Sequence, residues 1–238
     1  RMDINKWNPS DIWLVKKGYD FKCIDEEKTL LGLNQCIQEE LQHENLIGIS
    51  LKLMQSGASL SPKNIFTDMK FCKNYNGYEY SGKSIDGYIK LSGGTKIQFR
   101  SFGAGLGLTG FQGEVKGANA NQGKIGLGPT NLILRTHGQP EIPTNAAARV
   151  KSDPTGVFLE IAAGLKKYAR LTDKQVTELQ GNEKINTPKF LYSKLQVTQL
   201  IDILQSIQDK KVRDQLVEDI YLYASSQSRF SSAYYKLE

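Results

Sequence analysis

Leu46-Ile47-Gly48-Ile49-Ser50-Leu51-Lys52-Leu53, taken together with Trp7-Asn8-Pro9-Ser10-Asp11-Ile12-Trp13-Leu14-Val15, decides how the front of this chain folds. In the first stretch Ile47, Ile49, Leu51 and Leu53 fall on one side under the two-residue period of a strand, and Ser50 and Lys52 fall on the other. In the second, Pro9 ends the preceding segment and Asp11 opens the apolar run from Ile12 to Val15. Laid side by side, the two strands bring Asp11, Ser50 and Lys52 to one edge of a sheet. A carboxylate there can hold a divalent metal, and an ammonium group can steady an attacking water or the charge that builds on a phosphate. The alternative is two core strands with a capping aspartate and an exposed lysine.

Between these strands Lys16 to Asp20 reads as a turn and Asp25 to Gln42 as a helix. Asp25 can cap it, and Leu30, Leu33, Ile37 and Leu41 form a stripe at spacings of three and four. Asn45 ends it, and His43 falls near its C-terminus, where a positive charge suits the helix dipole. Ser61-Pro62 reads as an N-cap followed by proline at the first helical position, opening a short helix to about Cys72. Tyr78 to Tyr80 reads as a short strand. Ile85 to Leu91 and Lys96 to Phe102 both alternate and are joined by Ser92-Gly93-Gly94-Thr95, a hairpin signal.

Residues 93 to 128 hold 11 of the 22 glycines, with Lys96, Arg100, Lys116 and Lys124 set against a single acid, Glu114. Small residues and lysines let a backbone approach phosphates closely, with N–H and ammonium groups as donors. A glycine-rich hairpin loop explains the same composition. Neither a P-loop nor a dinucleotide fingerprint is present in the required context.

Residues 138 to 154 are rich in prolines and turn residues and read as a connector. Beyond them the pattern is helical. One helix spans Thr155 to Arg170, a second starts at Thr172-Asp173 and stops by Gly181, and a third starts at Thr187-Pro188 and breaks near Ser193 to Gln196. A last helix spans Asp209 to Ser225, followed by a tail rich in Ser and Tyr that is either docked or loose. The expected fold class is therefore α+β. A mixed sheet with flanking helices occupies residues 1–137, a connector 138–154, and a helical region 155–238.

The chain has 238 residues and a net charge of +6, a mild excess that suits nucleic acid without requiring it. No apolar run approaches the ~18 residues needed to span a bilayer, and no secretory signal stands at the N-terminus. Cys23, Cys36 and Cys72 lack CxxC spacing and are odd in number. That pattern reads as free thiols in a reducing, cytoplasmic setting, with no zinc. Two histidines and three scattered cysteines offer no nucleophile–base constellation for small-molecule chemistry.

On Pro9-Ser10-Asp11 and Ser50-Leu51-Lys52, residues 5 to 120 resemble the PD-(D/E)XK nuclease superfamily. Its folds carry an acid at the start of one core strand and an (Asp/Glu)-x-Lys on the next. Here Ser50 stands in the acid's place, and Glu114 is the candidate replacement. Glu114-Val115-Lys116 also has the spacing of an alternative second element. The resemblance implies Mg²⁺ held by Asp11 and Glu114, with Lys52 or Lys116 at the scissile phosphate and Arg100, Lys116 and Lys124 along the nucleic acid, DNA first. The helix between Asp11 and Ser50 and the lack of a helical acid ahead of the first strand depart from the simplest members. The overall character of the chain also resembles proteins of tailed bacteriophages. The competing expectation is a non-catalytic module that binds nucleic acid or a protein partner, the latter through the helical region. Ser50 favours it, since the usual second metal ligand is missing.

Overall fold

A computed structural model describes residues 7–51, 57, 59–65, 74–80, 86–101, 111–117, 123–182, 187–225 and 230–237. Among these the chain is α+β and forms two sheets, one of four strands and one of five. It divides into two compact units. The first comprises residues 1–71 with 222–238, and the second comprises residues 72–221. The span 138–154 reads as a connector in the sequence. That span contains its own helix, and the last residues of the chain return to the first unit.

In the first unit β1 (Ile12–Val15) pairs antiparallel with β2 (Leu46–Leu51), with Ile12 opposite Ile49. Two helices connect them, α1 (Lys22–Glu26) and α2 (Leu30–Gln42). The single helix expected from Asp25 is thus interrupted. Thr29, with extended backbone, is the true cap of α2, and its hydroxyl accepts from the Gly32 N–H at 3.0 Å. His43 does stand at the C-cap of α2. Cys23 and Cys36 form a disulfide between the two helices, which corrects the expectation of free thiols at those positions.

β3 (Leu60–Lys63) is a strand where Ser61-Pro62 predicted a helix start. It pairs antiparallel with β9 (Tyr234–Leu237), which in turn lies parallel to β2. The sheet order is β1-β2-β9-β3, so the tail is docked and central. Pro62 is tolerated because β3 is an edge strand, where an N–H facing outward is not needed. On β2 the buried side is Leu46, Gly48 and Ser50. Ile47 and Ile49 are half-buried and Leu51 is exposed, the reverse of what the apolar alternation implies.

The second unit opens with an antiparallel meander of β4 (Tyr75–Tyr80), β5 (Gly87–Leu91), β6 (Lys96–Ser101), β7 (Phe111–Lys116) and β8 (Lys124–Gly126). The hairpin read at Ser92 to Thr95 is present, with Gly93 and Gly94 at φ 73° and 75°, a conformation glycine adopts without a Cβ penalty. Part of the glycine-rich stretch forms β7 and β8, within the sheet. Helices α3 (Leu127–Thr136), α4 (Ala146–Ser152), α5 (Pro154–Ala169), α6 (Asp173–Gln180), α7 (Pro188–Ser206) and α8 (Lys210–Ala224) follow. Thr172 and Gln175 make a reciprocal capping box on α6, and Thr187 caps α7. α7 runs unbroken through Ser193 to Gln196.

The helices share the core with the sheet. Val157, Ile161, Leu165, Leu191 and Leu195 form one buried cluster, and α7 packs on β5, β6 and β7. The approach is close at two glycines. A Cβ on Gly87 would lie 2.3 Å from Cγ1 of Val197, and one on Gly164 would lie 2.1 Å from Cγ2 of Thr198. No described helix is long and apolar enough to cross a membrane.

Candidate nucleic-acid interface

The two halves of the sequence-derived site fall in different units. Asp11 and Ser50 belong to the first and are neighbours across the β1–β2 pair. The Asp11 N–H donates to the Ile49 carbonyl at 2.9 Å, and the Asp11 carboxylate accepts from the Leu51 N–H at 2.7 Å. Asp11 is exposed, and it acts as a side-chain continuation of the strand ladder. Ser50 is only 5% exposed. Lys52, the intended phosphate contact, lies outside the described residues.

Glu114, Lys116, Lys124 and Arg100 belong to the second unit. Glu114 and Lys116 stand two apart on β7 and share a face, with Nζ of Lys116 2.9 Å from the Glu114 carboxylate. The ExK spacing thus brings its two members together as an ion pair. Arg100 lies opposite Gln112 in the β6–β7 register, and Lys124 lies opposite Glu114 in the β7–β8 register.

The face of the second sheet turned away from α7 is polar for a simple reason. Ile89, Ile97, Phe99, Val115 and Ile125 alternate onto the helix side and are buried, so the residues between them face the other way. Two cross-strand rows result. One contains Lys90, Lys96 and Lys116, each directly opposite the next on β5, β6 and β7. The other contains Glu79, Tyr88, Gln98, Glu114 and Lys124 across all five strands. Lys96 pairs with Glu79, and its ammonium also lies 5.8 Å from the centre of the Tyr88 ring. The side chains of Lys96 and Glu79 are 39% and 40% exposed, so that pair is open to water, whereas in the second pair Lys116 is 41% exposed and Glu114 only 15%.

Sequence reasoning missed two polar ties in this unit. Lys194 of α7 is 3% exposed and pairs with Asp86, whose other oxygen accepts from Nε2 of Gln98 at 2.9 Å. Burial pulls the Lys194 ammonium below its ordinary pKa, and the Asp86 carboxylate opposes that pull. This tie anchors the polar face at Gln98. His137, at the end of α3, meets Asp219 of α8 at 2.7 Å. The partners lie 108 and 82 residues apart along the chain, beyond any local pattern. A lysine amid an apolar helix was the one signal available for the first.

No group of three or more His, Cys, Asp or Glu side chains able to hold a metal ion comes together among the described residues. Comparison with protein-family models, with curated proteins and with solved structures finds no match to this chain.

Proposed function

We propose that the protein binds the phosphate backbone of nucleic acid on the polar face of its five-stranded sheet. The row Lys90–Lys96–Lys116 carries this reading. Like charges directly opposite on neighbouring strands destabilise a sheet, so three ammonium groups in one row oppose folding unless anions offset them. Glu79 and Glu114 offset two of them; the Glu79 pair is exposed, hence weak and exchangeable for a phosphate, and the Lys116 ammonium keeps its outer side toward water. At ~4.8 Å between strands the row spans about 10 Å. Lys124 extends the positive charge onto β8, and Tyr88 offers a ring against which a base can stack.

Cleavage by a Mg²⁺ ion would need Asp11 and Glu114 to act together with a lysine. Within their own units the Asp11 carboxylate accepts from the Leu51 N–H and Glu114 pairs with Lys116. The lysine row bears on binding alone, so binding without cutting is the reading adopted.

Fluorescence anisotropy with labelled single-stranded and duplex DNA across a salt series tests it. Four phosphate contacts predict a slope of log K against log salt of about −3.6 on duplex and about −2.8 on single strands. Each Lys→Ala change at 90, 96 or 116 lowers that slope by about one. Chelation of divalent ions leaves affinity unchanged. No affinity for DNA or RNA at about 50 mM salt overturns the proposal. Metal-dependent cutting that Asp11→Ala abolishes would restore the nuclease reading in its place.

A further inference from the structure

The four-stranded sheet of the first unit has one covered face and one largely exposed face. α2 packs on β2, and Leu46, Gly48 and Ser50 form the buried side of that strand. The positions between them point the other way, and the strand register makes that other face continuous. Ile12, Ile49, Tyr235 and Pro62 lie in one cross-strand row over all four strands. Leu51, Leu237 and Leu60 form the row on one side of it, and Leu14 lies opposite Ile47 on the other. Every one of these positions holds an aliphatic residue, proline or tyrosine. Ile12, Leu14, Leu51 and Leu60 are nonetheless 45%, 52%, 43% and 56% exposed.

Sequence pattern and single chain disagree at this face. Ile47, Ile49 and Leu51 alternate as they would on a strand with that side buried, yet one copy leaves Leu51 exposed and the isoleucines half-buried. A continuous apolar patch of this kind marks an interaction surface. Strands ~4.8 Å apart, four to six residues long at ~3.3 Å each, give a face of roughly 19 Å by 17 Å. Covering it with an equal face removes on the order of 1,000 Å² from water in all, where specific interfaces begin. Sheet faces pack well on sheet faces, ~10 Å apart with strands within about 30°. A two-fold axis supplies such a surface from the chain itself, since the same patch serves on both copies. Charge agrees with this choice. A net charge of +6 drives copies apart at their charged surfaces, whereas these rows bring no charge into the contact.

We propose that this face joins two copies of the chain, sheet on sheet, in a two-fold dimer. The row Ile12–Ile49–Tyr235–Pro62, continuous from one edge strand to the other, lies at its centre. In the dimer β2 is buried on both sides, and the alternation of its isoleucines and leucine is accounted for.

The test is sedimentation equilibrium of the full chain from about 1 to about 100 µM. Twice the chain mass is expected at the upper end. The urea midpoint read by tryptophan emission should also rise with concentration, since both tryptophans lie in this unit. Leu14→Glu and Leu60→Glu change positions more than half exposed in one copy, so the far-UV circular dichroism spectrum should be unaltered. Each should weaken the dimer at least about a hundredfold, because its carboxylate enters the apolar contact twice. Leu159→Glu, at a position 59% exposed in the second unit, should leave the dimer intact. A single chain mass at about 100 µM overturns the proposal, as does a urea midpoint that ignores concentration. A dimer undisturbed by both glutamate variants overturns it too. Binding of phosphatidylcholine vesicles by a monomeric chain would assign the face to a membrane surface and overturn it equally.

Discussion

Replacing Gly164 with alanine tests a close helix–helix approach in the second unit. The new methyl group would fall 2.1 Å from Cγ2 of Thr198, far inside van der Waals contact, while Cβ and Oγ1 of Thr198 stand at 3.4 Å. Alanine in a helix interior is favoured over glycine by about 1 kcal/mol, and overpacking of this kind costs about 1–3 kcal/mol. Since both residues are buried and the clash is severe, Gly164→Ala should destabilise by about 2 kcal/mol net. Thr198→Ser alone removes the offending methyl and should cost about 1 kcal/mol. In the double variant the alanine methyl occupies the vacated space, and stability should return to within about 0.5 kcal/mol of the parent. The coupling energy is then about 2–3 kcal/mol. Urea denaturation followed by circular dichroism gives the four midpoints, with slopes expected to be equal. Additive losses, with the double variant the least stable of the four, would refute the packing of α5 on α7 at this point.

Reduction of the Cys23–Cys36 bridge, or Cys23→Ser, should cost the first unit about 3 kcal/mol, as for a bridge closing a loop of this length. Both tryptophans lie in that unit, so their emission reads it, and an unmoved urea midpoint would discount the bridge. Gly113→Ala should lower stability by about 1–3 kcal/mol, since its Cβ would meet Phe99 at 2.7 Å and Ile125 at 2.9 Å; a neutral result would place that stretch of β7 away from the core. Stability should also fall at alkaline pH. Burial raises the Tyr75 phenol to about 12 and raises Tyr80 as well, whereas both ionise near 10 when unfolded. The folded chain therefore retains protons that the unfolded chain loses. The contribution is complete below about pH 10 and is lost as pH climbs toward 12, and Tyr75→Phe should flatten the decline in urea melts across that window.

Much of the second unit could be read locally. The β5–β6 hairpin follows from alternation broken by two adjacent glycines, and α6 and α7 start where Thr172 and Thr187 cap them. Local signals failed where a distant partner decides. Ser61-Pro62 has the same chemistry whether it opens a helix or lies in an edge strand, and β9 settles the matter from the far end of the chain. The polar pair Lys194 and Gln196 looked like a break in α7. Instead Lys194 reaches Asp86, and Nε2 of Gln196 donates to the Pro143 carbonyl at 3.4 Å. The candidate site was legible in pieces. Asp11 beside Ser50 follows from the strand pairing, and Glu114 with Lys116 from their spacing. The lysine row was not, because three positions from three strands align only once the register is fixed.

The position of β9 has a consequence for biosynthesis. β2 and β3 emerge early from the ribosome with the slot between them vacant, and the strand that fills it is made only after the whole second unit. At roughly 5–20 residues per second the nascent chain waits on the order of ten to thirty seconds with two unsatisfied strand edges. A stop codon shortly before Tyr234 would leave the 72–221 unit able to form and the four-stranded sheet without its middle, so truncated products should be captured by chaperones through the front of the molecule.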